Sequence, residues 1–180
     1  MKLLAKLSAA ALLAFTLAAC SDPSADFKKL QAWDKDNAAA QQQIQVDLQQ
    51  SLSTVKEAKD LEPVLDKYKT QVQSVIDSLD KVDVSSKEVK PLKEKIKAVY
   101  LESRDVVIDS LNLQLGGTER TEAAVNALKT KTDTLNADVQ ALMKLQAELE
   151  SKYGEKKPAE AAPAKPEATP APAQEQQPAK

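Results

Sequence analysis

The sequence predicts an all-α protein: an elongated, antiparallel, up-and-down bundle of four helices followed by a disordered C-terminal tail. Three observations carry that expectation. Apolar residues recur at steps of three and four through four successive segments, the spacing that places them on one helical face. No stretch alternates as a strand does, and Val82-Asp83-Val84 is too short to count. Glycine and proline stand only at segment borders: Pro23, Pro63 and Pro91 near helix starts, Gly116, Gly117 and Gly154 near helix ends. Proline costs little in a first turn, whose N–H groups have no helical partner, and glycine suits the left-handed end of a helix.

The first segment runs from about Ala25 to Lys56, with Ser24 as candidate N-cap. Its stripe is Phe27, Leu30, Trp33, Ile44, Leu48, Leu52 and Val55, bridged in the middle by Asn37 and Gln41. The second, from about Asp60 to Lys81, carries Leu61, Leu65, Tyr68, Val72, Val75, Leu79 and Val82 as an unbroken heptad seam. The third opens on Ser85-x-x-Glu88, a capping-box pattern, and continues to about Leu115. Val89, Leu92, Ile96, Val99, Val106 and Leu113 form its stripe, with Ser103 and Ser110 as small fillers. Thr118 can cap the fourth, whose Val125, Leu128, Leu135, Val139, Leu142, Leu149 and Tyr153 lead to Gly154.

Short connections between such segments make consecutive helices antiparallel neighbours. Helices of roughly 30 residues are about 45 Å long, so the body is a rod. The second helix is the shortest of the four. A three-helix body with the first segment docked loosely is the structural alternative.

The N-terminus speaks to location. Lys2 and Lys6 precede the 13-residue uncharged run Leu7–Ala19. A spanning helix needs about 20 apolar residues, so this run reads as the core of an export signal. It ends in Leu17-Ala18-Ala19-Cys20, which closely resembles the lipobox of bacterial lipoprotein precursors. The resemblance implies cleavage between Ala19 and Cys20, diacylglycerol on the Cys20 sulfur and acylation of its new amine. That chemistry consumes the single cysteine of the chain, and more than one acyl chain makes anchoring to a bilayer stable. In the sorting pattern of such lipoproteins, Ser21 rather than Asp after the cysteine permits transfer to the outer membrane. The resemblance therefore implies an outer-membrane protein facing the periplasm, with surface display as the other outcome. The whole chain is similar to small helical lipoproteins of Gram-negative bacteria, the HlpB-type among them, and only Cys20 takes a role from that likeness.

The expected organisation is a signal peptide at 1–19, a lipidated linker at 20–24, a bundle at 25–153 and a tail at 154–180. Residues 155–180 hold six prolines, eight alanines and equal numbers of Lys and Glu, with no Leu, Ile, Val or aromatic residue. Such a segment buries too little apolar surface to offset the entropy of ordering. It reads either as a solvated tail or as an arm toward peptidoglycan or another envelope protein.

Composition narrows the function. With 25 Lys+Arg against 27 Asp+Glu, the chain lacks the basic excess that nucleic-acid binding requires. It has no histidine, hence no catalytic triad and no imidazole metal ligand. Arg104 and Arg120 are too few for a phosphate clamp, and no glycine-rich phosphate loop is present. Asp34 with Asp36, and Asp105 with Asp109, are carboxylate pairs that read as solvated helical charge. Nothing calls for a cofactor, and a non-enzymatic scaffold or interaction module is expected; a host-binding adhesin and a periplasmic chaperone or inhibitor are the alternatives.

Three features of the body invite closer reading. Trp33 shares the stripe of Phe27 and Leu30, which favours core packing over an interfacial anchor. The glutamines from Gln41 to Gln50 read as a solvated face before a glycan-gripping one, and Ala38, Ala39 and Ala40 would admit a close neighbour. Leu101, Ile108 and Leu115 repeat every seven residues off the main seam, beside Tyr100, Val107 and Leu111. That half of the third helix is apolar nearly all round. Either it lies centrally between neighbours, or these three leucine and isoleucine positions form a partner or self-association surface.

Overall fold

The structure, a computed structural model, describes residues 22–154 apart from 117. The signal segment, Cys20 with the Ala19 bond, and the tail after Gly154 lie outside the described residues. Four helices follow one another: α1 (Pro23–Leu52), α2 (Leu61–Asp80), α3 (Lys90–Leu115) and α4 (Glu122–Tyr153), with a short 3-10 turn at Ala58–Asp60 before α2. The described residues contain no strand. Neighbours are antiparallel. α1 packs on α2, α2 on α3, α3 on α4, and α4 reaches back to α1 near its C-terminal end. The four-helix expectation holds. α1 is part of the core, with Phe27, Leu30, Trp33, Ile44 and Leu48 all buried.

The element ends follow local chemistry more closely than the sequence pattern showed. α1 is capped by Asp22, not Ser24: Asp22 Oδ1 accepts from the backbone N–H of Ser24 at 2.9 Å and of Ala25 at 3.2 Å. Pro23 then occupies the first helical position, where the cap must be the residue before it. The helix stops at Leu52 rather than near Lys56, so Val55 lies beyond it, half-buried. α4 is capped by Thr121, whose Oγ1 accepts from Ala124 N–H at 3.1 Å; the Thr118 N–H instead donates to the Asn112 carbonyl and closes α3. That closure needs Gly116 at φ 81°, in the left-handed region that a side chain disfavours. At the end of α4 a Cβ on Gly154 would lie 2.4 Å from the Glu150 carbonyl oxygen.

The α3 start departs furthest from expectation. Ser85-x-x-Glu88 forms no capping box, and the helix begins at Lys90 after a turn. The N–H groups of Ser85 and Ser86 donate to Asp26 on α1, and Glu88 accepts from the Tyr153 hydroxyl on α4. The loop between α2 and α3 is therefore held by tertiary partners.

One core runs through the bundle. Leu61, Ile76, Leu79 and Val89 are almost wholly removed from water, and the α2 seam is the best buried stripe. α4 contributes Leu142, Leu145, Leu149 and Tyr153 from its C-terminal half. Its N-terminal half rests on α3 through Lys131–Asp109 (2.5 Å) and Lys95–Asp138 (3.1 Å), and Val125 is left 41% exposed.

Candidate functional site

Because α4 meets α1 near one end, the two helices leave a cleft between them, floored by α3. Its upper section, about 430 Å³, lies among Leu30 and Asp34 of α1, Ile96 and Tyr100 of α3, and Leu142 and Gln146 of α4. Its lower section, about 460 Å³, is lined by Ala38, Gln41, Gln45, Tyr68, Tyr100 and Ser103, and by no charged residue. Val99 and Tyr100 line both sections, so the two are continuous.

The α1 wall takes its form from its sequence. Between Trp33 and Ile44 no residue is buried, because the stripe is interrupted by Asn37 and Gln41 and flanked by three alanines. Asn37 settles its polarity locally: Nδ2 donates to the Trp33 carbonyl at 2.8 Å and Oδ1 accepts from the Ser78 hydroxyl. Gln41 does not, and its buried Nε2 has no hydrogen-bond partner among the described residues. The other glutamines divide. Gln43 donates to Asp47 at 2.6 Å, while Gln42 and Gln45 line the cleft. Gln43, Gln71 and Lys67 together draw the Asp47 carboxyl down to about 2.

Tyr100 joins the two sections. Its ring meets that of Trp33 edge-on at 6.1 Å, and burial, with the nearby Asp34 charge, pushes its hydroxyl up to about 12. The phenol is therefore a neutral donor and acceptor at any physiological pH. Trp33 is buried, with its Nε1–H donating to Ser78 at 2.8 Å. It is a core residue.

Leu101 and Ile108 are half-buried against the core, as are Val107 and Leu111, and Leu115 is 39% exposed at the end of α3. The structure does not bring the three together as one open patch. Asp105 is bound by Arg104 and Asp109 by Lys131, and Asp34 and Asp36 are exposed. Among the described residues no group of carboxylates could hold a metal ion, and no helix is long and apolar enough to cross a membrane.

Sequence reasoning missed the role of Asp26. This carboxylate is 2% exposed and accepts from Lys29 and from the backbone of Ser85 and Ser86, each at 2.8 Å. Burial opposes its charge, but the Lys29 ammonium and the two N–H groups outweigh it and hold the carboxyl far below its usual range. The available signal was its place: it directly precedes Phe27 on the buried side of α1.

An all-α bundle with a continuous side cleft is thus the class of protein that these residues build. The chain belongs to the family described as "Uncharacterised lipoprotein PM1805", whose model matches residues 24–154, almost the whole of the bundle. No curated protein and no solved structure matches it. Family membership makes this a lipoprotein, and so a lipid-anchored protein of the cell envelope.

Proposed function

We propose that Cys20 is the lipid-bearing residue and that the bundle works at the periplasmic face of the outer membrane as a non-enzymatic scaffold or interaction module. The residues after Gly154 are the arm offered to peptidoglycan or another envelope protein. The observation that carries this reading is the lipoprotein family match over the bundle, directly behind a lipobox. Cys20 stands two residues before the α1 cap Asp22, a span of at most about 7 Å. The end of the rod that holds Phe27 and Leu30 therefore sits against the lipid surface, and the other end points away from it. Ser21 supports outer-membrane sorting.

The test is mass spectrometry of the mature chain taken from membranes. A diacylglyceryl adduct on an N-terminal Cys20 is expected, and Cys20→Ser should move the protein from the detergent to the aqueous phase. A bare thiol on the exported chain would overturn the anchor. Protease added to intact cells should leave the protein whole; cleavage would place it on the outer surface instead.

A further inference from the structure

The cleft between α1 and α4 contains a demand. Gln41 Nε2 is buried there without an acceptor, and an unpaired buried amide is costly enough that native proteins seldom leave one. Whatever fills the lower section must supply acceptor oxygens. It must also be uncharged, because the lining is neutral and a buried ion would find no counter-charge. The upper section leads to where α4 ends: Gln31 Nε2 donates to Glu150 Oε2 at 2.6 Å, four residues before Gly154. The chain beyond Gly154 departs at the head of the cleft.

We propose that the cleft is a binding site for an uncharged, proline-rich peptide in extended polyproline form, and that its occupant is residues 168–174 of this same chain. That segment, Ala168-Thr169-Pro170-Ala171-Pro172-Ala173-Gln174, is the longest uncharged run in 155–180. A polyproline strand exposes its carbonyls and makes no internal hydrogen bonds, so it offers acceptors to Gln41 and to the neighbouring Gln45, Ser103 and Tyr100. Grooves with aromatic walls receive such strands without the entropy loss that a flexible peptide would incur, and Tyr100 forms part of this wall.

The lengths agree. Ala38–Gln45 lies 7 to 14 residues past Gln31, about 10–20 Å down α1. Residues 155–167 span up to about 40 Å when extended, more than enough to reach it, and seven residues then cover about 22 Å of wall. A tether of this kind sets an effective concentration on the order of millimolar, so a site of only millimolar affinity is about half filled. The proposal goes beyond the anchoring reading and stands whether or not Cys20 carries lipid.

The experiment uses the full mature chain in detergent, with a photoreactive benzoylphenylalanine in place of the exposed Gln42. Irradiation should join α1 to residues 168–174 within one chain. Mixing light and heavy isotope-labelled chains before irradiation should give no mixed product. Pro170→Gly with Pro172→Gly changes nothing in the helices, which circular dichroism confirms. A tenfold loss of affinity should then lower the crosslink yield of a half-filled site about fivefold. Lys165→Gln with Glu167→Gln should leave that yield unchanged. An absent crosslink, one to residues 155–167, a mixed-isotope product from a second copy, a co-purified glycan in place of the tail, or a yield indifferent to the two prolines would each overturn the assignment. The Cys20 mass measurement is independent of all these outcomes.

Discussion

Asp26 Oδ2 lies 2.8 Å from the backbone nitrogen of Ser86, sixty residues away along the chain. The contact joins the first turn of α1, at the membrane-proximal end of the proposed orientation, to the loop between α2 and α3. Ser85 N–H donates to the same oxygen, so one carboxylate stands in for the cap that the loop does not make for itself.

Asp26→Asn retains the shape and loses the charge, and should cost about 1.5–3 kcal/mol in urea denaturation at pH 7. The pH dependence has a definite sign. The folded-state value is depressed, so the stabilisation is complete above the ordinary carboxylate range. It is lost progressively as pH falls below about 4. The wild type should therefore weaken between pH 5 and pH 3, and the difference between it and the variant should shrink.

Glu102 on α3 should behave in the opposite sense. Desolvation raises it first, reinforced by the facing Asp138 carboxylate, with Lys95 opposing, and its Oε2 is buried without a partner. A raised folded-state value means that its contribution is present at acid pH and lost as pH rises through that value. Glu102→Gln should accordingly raise the thermal midpoint at pH 7 while changing it little at pH 4, measured by circular dichroism melts.

Leu79 is 0% exposed at the meeting of the core stripes. Leu79→Ala should cost about 2–5 kcal/mol by leaving a cavity that rigid helices cannot close. Met143, 64% exposed on α4, is the control: Met143→Ala should stay within about 0.5 kcal/mol.

Trp33→Phe removes the Nε1–H bond to Ser78 and part of the edge-on contact with Tyr100. A loss of about 1–3 kcal/mol is expected, moderated because Ser78 keeps its bonds to Asn37 and the Val75 carbonyl. With the single tryptophan gone, the measurement rests on helix ellipticity.

Much of this architecture was legible before any coordinates. Each helix buries one stripe, and a periodicity of 3.6 is a local property of the chain; the α2 seam from Leu61 to Leu79 reads directly as core. Prolines at helix starts and Gly116 at the end of α3 are local too. Caps were less legible because Asp22 and Ser24, or Thr118 and Thr121, satisfy the same pattern and differ only in backbone angles. Ser85-x-x-Glu88 misled for a further reason: its donors and its acceptor were claimed by Asp26 and Tyr153, far away in sequence.

The cleft belongs to a different level. Periodicity shows that a face is apolar but carries no information on how far apart two non-consecutive helices stand, and α1 and α4 are separated by the whole domain. Thus the helical class, the four segments and the neutral, proline-rich arm are properties of residue order, since short-range sterics and hydrophobic spacing suffice to set them. The orphaned amide of Gln41, the buried charge of Asp26 and the gap beside Tyr100 exist because three helices converge at one end of the rod and part below it, which depends on packing among residues that no local pattern connects.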